Sequence, residues 1–560
     1  MIKIVLIYVL FILGLWNQTL SAQVWTKGNI LESNIHYSNF QHQVNITNGK
    51  IYAAGEFEIE IDVGTQKRRS FGETDIFIVE YDSNFDVLNL WTLGTPNVDR
   101  FGSFKVDQKG NIYVTGYFRD SLILGLDTLV SIGGFDFFMF KMTSDYQYLW
   151  SKSYGSIADD IGAFGVGVIA LSNSGSVFTY SQFSQLENLP LVLKDSIVKP
   201  YGDSDGLILK HDAIGNLIWA QAIGSKRFDN FPPELILKND MLFVGSNASS
   251  GIYYQNRKYG NPYVGDLGIL LCLDTLYGFP KWHVGIHNRD FGIVKLSAFD
   301  TDSEGNTYFT GTFYTDLLEV GGKTISNTFN LYGIDVYIAK VNRFGVTQWV
   351  NVLRSGATDG VSDITVSDDN QVFVSGYYTE QCYYQNDTIG YIGQSGKNGF
   401  VLEIDSNGDS QYFQSIGNNG STDVNQVTPL ESGQLLISGT SGPGELRFDG
   451  KLDFDLNADY NNYLALGNPD SIKLSTQYPQ KGQIKVYPNP CFDRILITSL
   501  YENAHAQIKV YNVLGDLVLD LTTNDITTQI STSDWIQGVY LITLFNEKSS
   551  QFISTRIIKN

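Results

Sequence analysis

Cysteine is almost missing from this 560-residue chain: Cys272, Cys382 and Cys491 are the only three, widely separated and odd in number. A disulfide framework is therefore not expected, and stability has to come from packing. Basic residues are also scarce, 38 Lys and Arg against 59 Asp and Glu, which leaves a net charge of −21. Nucleic acid, a polyanion that needs a cationic face, is excluded on those grounds. Apolar runs long enough to span a bilayer are absent, so no transmembrane segment is expected in the mature chain. His-Glu-x-x-His and phosphate-loop patterns are absent too, and neither a cofactor nor a metal site is expected.

What the chain has instead is glycine (55) and aromatic residues (13%), with Tyr and Phe together outnumbering Lys and Arg by 67 to 38. That mixture favours many short strands joined by glycine turns over helices or disorder. The N-terminus carries Lys3, an apolar stretch from Ile4 to Trp16, and Leu20-Ser21-Ala22. This predicts a signal peptide over 1–22, cut between Ala22 and Gln23, with a core too short to anchor in a bilayer.

A long repeat runs through residues 23–468. Ile112-Tyr113-Val114-Thr115-Gly116, Thr307-Tyr308-Phe309-Thr310-Gly311 and Val372-Phe373-Val374-Ser375-Gly376 are one element, with related copies ending at Gly55, Gly245 and Gly439. Apolar strands bracketed by polar residues recur in phase, as at Asp75, Asp205, Asp335 and Asn398. An aromatic follows each time: Trp25, Trp91, Trp150, Trp219, Trp282, Trp349 and Tyr412. The bracketed class is offset, because the chain starts at Trp25 without one and ends with an extra copy at 459–466. A ring of seven four-stranded blades accounts for the offset if 459–466 completes the blade begun at the N-terminus, paired with the strand near Ile51. The pattern Asp-turn-Gly-Asn-x-Tyr-Val-x-Gly, together with the Trp strand and the Gly-x4-Asp loop, resembles the bacterial seven-bladed β-propeller repeat family. The resemblance implies an all-β fold and says little about activity.

After a linker at 469–483, residues 484–560 read as a small β-sandwich. Tyr487-Pro488-Asn489-Pro490, then Tyr511 with Gly515, then Gly538 with Tyr540, and the basic end at Lys559 resemble the type A C-terminal sorting domain of the type IX secretion system, found in Bacteroidota. The resemblance implies the secretion machinery as a partner and export through the periplasm, with release or attachment at the outer-membrane surface. The Tyr-Pro-Asn-Pro run should start the first strand, Gly538 a late one, and the terminus should stay exposed.

Several residues carry candidate chemistry. The Gly-x4-Asp loops place Asp99, Asp160, Asp229 and Asp290, with looser copies at Asp359 and Asp423, once per blade. They are either a ring for a cation or ligand, or caps on their own turns, and the caps are favoured. The Trp series reads as packing between blades rather than sugar stacking. Asp300 to Gly305 lacks the acid that would complete a calcium loop and reads as a hairpin. His283 and His287 fix no metal geometry. Asp-Ser/Thr-apolar triplets mark Ser121, Thr128, Ser196, Thr275, Thr388 and Ser471 as candidates for O-glycosylation, by resemblance to the Bacteroidota sequon. The expected function is a surface or secreted binding or adhesion module for an unidentified glycan or protein. The alternative is an extracellular enzyme acting on polysaccharide through acidic residues at the propeller mouth.

Overall fold

In the computed structural model, described residues run from 25 to 559, except 33–40, 46–48, 158–159, 161–167, 185–190, 194–195, 203, 227–234, 249–250, 260–266, 289–291, 327–332, 386, 391–395, 419, 431, 449–452, 457–460, 468–483, 488–490, 500–505, 513–516, 524–526 and 547–550. The fold is all-β, and the chain divides into two units, 1–473 and 474–560.

Among the described residues the first unit holds seven antiparallel four-stranded sets, called sheets one to seven here. Sheet one is Gln41–Asn45, Lys50–Val63, Gln66–Tyr81 and Val87–Leu93, and sheet two is Arg100–Val106, Ile112–Phe118, Asp136–Met142 and Tyr148–Tyr154. Sheet three is Val168–Leu171, Val177–Ser184, Ser204–His211 and Leu217–Gly224; sheet four is Leu235–Lys238, Met241–Ala248, Leu267–Asp274 and Pro280–Asn288. Sheet five is Ile293–Thr301, Thr307–Tyr314, Asp335–Val341 and Thr347–Arg354; sheet six is Gly360–Val366, Val372–Tyr378, Asn398–Ile404 and Ser410–Gly417. Sheet seven takes Thr422–Pro429, Leu435–Ser441 and Asn461–Gly467 from the end of the unit and Trp25–Glu32 from its start.

The register of sheet seven corrects one expectation. Asn461–Gly467 pairs with Leu435–Ser441 and with Trp25–Glu32, Tyr463 lying opposite Ile30. The strand containing Ile51 pairs instead with Gln41–Asn45 and Gln66–Tyr81, and meets Trp25–Glu32 only where Asp62 lies opposite Glu32. The N-terminus thus contributes a single outer strand to the last sheet, the position of the aromatic strand in every other repeat.

Alternation explains where the core lies. The third strands, such as Asp136–Met142, are apolar on both faces because each sheet packs on two neighbours. Phe178, Tyr180 and Ile208 of sheet three join Leu242, Val244 and Leu271 of sheet four, whereas Val177, Leu207 and Leu209 face Phe137 and Met139 of sheet two. A further cluster joins Leu436 and Leu464 of sheet seven to Ile51, Phe77 and Val79 of sheet one. The leading strand of each sheet neighbours that of the next, and the leading strand of seven neighbours that of one.

Short hairpins fasten successive sheets. Ile252–Tyr254 and Arg257–Tyr259 arise between the second and third strands of sheet four, yet Tyr254 and Tyr253 pair with Ile223 and Gly224 on the outer strand of sheet three. The hairpins at Leu317–Ser326, Cys382–Ile389 and Gly444–Leu456 repeat this on sheets four, five and six.

The second unit has a three-stranded sheet, Ile484–Tyr487, Arg494–Ser499 and Thr527–Ser531. Its four-stranded sheet contains Ala506–Asn512, Leu517–Thr523, Gly538–Asn546 and Gln551–Lys559. Cys491, Ile495, Ile497, Ile508, Val510, Ile542 and Ile557 share one buried cluster. Two expectations need correction. Tyr487 ends the first strand rather than starting it, and Lys559 is 9% exposed in a strand paired with Gly538. Closing a small core with the last strand buries the basic end. Gly538 does begin a late strand.

Candidate functional site

The Gly-x4-Asp loops join the outer strand of one sheet to the leading strand of the next. Asp99 is fully buried; its carboxylate accepts from the Thr95 amide at 2.5 Å and the Thr95 hydroxyl at 2.9 Å. Asp160 accepts from the Ser156 amide, the Ser156 hydroxyl (3.0 Å) and the Ser184 amide (2.7 Å), and Asp359 from the Ser355 hydroxyl (2.6 Å). Their own amides donate to Thr74, Phe135 and Ile334 oxygens, each at 2.8 Å, so three junctions share one geometry.

In sheets one and two the bracketing Asp of the third strand sits in the same junction. Asp75 accepts from the Phe71 amide at 2.7 Å and Asp136 from the Ile132 amide at 2.9 Å. The motif's glycine makes room for that carboxylate: a Cβ at Gly94 would lie 2.1 Å from Asp75 Cγ, and one at Gly155 2.1 Å from Asp136 Cγ. Burial, with the neighbouring third-strand carboxylate as a smaller contribution, pushes Asp99 and Asp160 up to about 7 and Asp359 to about 8.

Each of these carboxylates lies at its own junction, in its own loop. Asp423 stands one residue out of register: Thr422, the fifth residue after Gly417, donates its amide to Lys397 O at 2.9 Å in the place of Asp99. Asp423 lies instead 3.9 Å from Lys397 Nζ. The glycine spacing already pointed to Thr422. Asp229 and Asp290 fall outside the described residues. Among the described residues, no three His, Cys, Asp or Glu side chains form a cluster able to hold a metal.

The Trp series fastens sheets together. The indole nitrogens of Trp150, Trp219, Trp282 and Trp349 donate to Ala213, Thr275, Arg343 and Ser406 oxygens in the following sheet, at 3.3, 3.3, 2.9 and 3.1 Å. A Cβ on the turn glycines Gly215 and Gly345 would strike the Trp150 and Trp282 rings at 2.8 Å.

Other candidates resolve locally. Asp302 caps its hairpin through the Glu304 and Asn306 amides, as the hairpin reading requires. His283 lies edge-on to Tyr259 and His287 3.5 Å from Glu319. Ser121 and Thr128 are exposed, Thr275 and Thr388 half-buried; Ser196 lies in a strand, and Ser471 is outside the described residues. Gly202-Asp203-Ser204-Asp205-Gly206 fits a serine-nucleophile pattern overlooked in the sequence, but Ser204 is buried at the start of a strand, held by Gln182. That pattern needs a strand-to-helix turn, which is absent here.

Pattern reading also missed a cavity of about 630 Å3 between the leading strands, lined by Phe104, Lys105, Ile169, Asp300, Asp363 and Gln426 among others. Asp300 accepts from the Val366 amide at 2.7 Å and Asp363 from the Val427 amide at 3.0 Å, each reaching the next sheet. Burial raises both, Asp363 to about 6. Their repeats carry no matching acid, so periodicity could not reveal them.

Residues 485–560 match the secretion system C-terminal sorting domain. In the sorting motif, Tyr511 lies in a strand and Tyr540 is buried, its hydroxyl donating to Ile536 O at 2.7 Å; Pro488, Asn489, Pro490 and Gly515 fall outside the described residues. No curated protein matches the chain. Among solved structures it is similar to PorZ, an essential surface component of the type IX secretion system of Porphyromonas gingivalis, at 14% identity and a TM-score of 0.34, covering 91% of this chain and 58% of that one. It is similar also to the extracellular domain of a hybrid two-component system from B. thetaiotaomicron, at 10% identity and a TM-score of 0.29, covering 95% of this chain and 74% of the other. The sorting domain assigns the chain to export by the type IX machinery through the periplasm, ending secreted or attached at the surface. Among the described residues no helix is long and apolar enough to cross a membrane.

Proposed function

We propose that the first unit is a seven-bladed β-propeller, followed by a small sandwich that directs it outward, and that the propeller is a binding module for a glycan or protein. The closed cycle of neighbouring leading strands supports the propeller reading. The fate of the loop carboxylates carries the binding reading: Asp99, Asp160 and Asp359 are buried, and each is engaged by its own loop. They fasten junctions and leave the loop faces free to vary.

One observation favours the enzymatic alternative, the raised carboxyls of Asp300 and Asp363 on a cavity wall. Their amide bonds to the neighbouring strands favour a stitching role. The test is a glycan and polymer array probed with the mature chain, with product analysis on every hit. Retention of an unaltered ligand is expected; cleaved product that disappears in Asp363→Asn would establish the enzyme instead.

A further inference from the structure

The turns between third and outer strands are each capped by their first residue in sheets one to six, the turn of sheet four being one residue longer and capped by Asp274 through the Tyr277 and Phe279 amides, yet their chemistry divides the molecule. Asp82, Asp212, Asn342 and Asp405 each cap their own turn through the amides two and four residues on. The third turn residue is polar in sheets one, two and six: Asn84, Asp145 and Asn407. In the consecutive sheets three, four and five it is Ile214, Leu276 and Phe344, exposed by 71%, 61% and 66%. Tyr277, Phe279 and Val346 extend the same arc. The capping geometry is met equally well by polar residues, so folding does not require these apolar tips.

The three turns are neighbours on one face. Trp219 of sheet three holds the turn of sheet four, and Trp282 of sheet four holds the turn of sheet five. Asn239, Glu304, Arg343 and Phe344 line a common depression there.

Charge singles out the same arc. Arg343 lies with its guanidinium 4.9 Å from the Phe344 ring, and Lys281 follows Phe279 by two residues. Arg257 is at the tip of the hairpin whose Gln255 donates to Gly278 O, and Lys323 follows Gly321, which packs on Thr347. Four exposed cations thus flank the tips, against exposed Asp240 and Glu304 and the half-buried capping acids Asp212 and Asp274, in a chain whose acids outnumber its bases 59 to 38. The matching turns of the other sheets carry Asp86, Asp145 and Asp409.

We propose that this arc is a membrane-docking face that seats the first unit on an anionic lipid surface. Separate apolar tips standing out from a face enter a soft apolar layer, and flanking cations draw them to anionic head groups. The inference rests on the surface destination given by the sorting domain, but vesicle binding tests the face without any export step.

The mature chain is to be sedimented with vesicles of phosphatidylcholine alone and of phosphatidylcholine with phosphatidylglycerol. Binding to the anionic vesicles only, weakened by salt, is expected. Lys281→Glu/Arg343→Glu should weaken it by about tenfold or more, and Phe279→Ser/Phe344→Ser should remove it, with melting temperatures kept because the capping residues and turn glycine remain. Asp86→Asn, in a polar turn, should leave it unchanged. Failure to bind anionic vesicles, or equal binding by both double variants, would overturn the proposal. So would a dimer in solution dissolved by Phe344→Ser, which would assign the arc to a second copy of the chain.

Discussion

Asp359 shows how a recurring residue in this chain acts. Its carboxyl is held near 8, above its ordinary 3.8, mainly because burial penalises the charged form. Asp99 and Asp160 behave alike, near 7. Folded, these groups bind a proton more tightly than in the unfolded chain. Their contribution to stability is therefore complete below about pH 4 and is lost as pH rises through 7 to 8. Thermal melting is expected to show a loss of stability between about pH 4 and about pH 8. Asp359→Asn, which keeps an acceptor for Ser355 without the charge, should flatten that loss and raise the melting temperature at the alkaline end. A variant that melts lower than the parent at every pH would reject this account.

At the scale of elements, periodicity made most of the fold legible. Six of eight Trp residues fall at one repeat position, and the offset count of bracketed strands joined the two ends of the first unit in one sheet, although it took that sheet to be the first. What stayed hidden was contact between repeats. Each fastening hairpin, such as Ile252–Tyr259, meets its neighbouring sheet through only two or three residue pairs, too few to leave a pattern. The partner of 459–466 was misassigned for a related reason: sequence phase gives a strand's class, not which edge it meets. Cys491 gave no signal either, being one apolar side chain in a core assembled from distant strands. For the candidate site, the Gly-x4-Asp spacing was legible because one glycine must clear one carboxylate. The Asp300 and Asp363 pair was not, because it departs from the repeat.

The closing strand supplies the test at this scale. Asn461–Gly467 lies between Leu435–Ser441 and Trp25–Glu32 and closes the cluster of Leu436, Leu464 and Leu466 against sheet one. Removing 455–467 is expected to leave open edges on both sides and to cause aggregation. Light scattering on the truncated chain, and its melting beside the parent, check this; a soluble truncation of unchanged stability would refute the closure.

For the whole molecule, delivery is expected to be separable from the fold that is delivered. The sorting match is confined to 485–560, a compact unit with its own buried cluster. Deleting 484–560 is expected to trap a folded first unit in the periplasm, and attaching the segment to an unrelated signal-bearing protein should carry that protein out. Fractionation of a type IX-competent host checks both, and arrival of the truncated chain in the medium would refute the assignment.

The backward reach of the hairpins sets an order in time. Sheet three is not fastened until Tyr253 and Tyr254 have been made, nor sheet six until Arg447 and Phe448. The first strand, Trp25–Glu32, waits longest, because its neighbour Asn461–Gly467 is nearly the last of its unit to be synthesised. A chain emerging N-terminus first therefore carries an unfinished strand while nearly all of the first unit is made. The sorting segment follows the residue that ends the wait, so the signal for departure is made only after the strand that completes sheet seven.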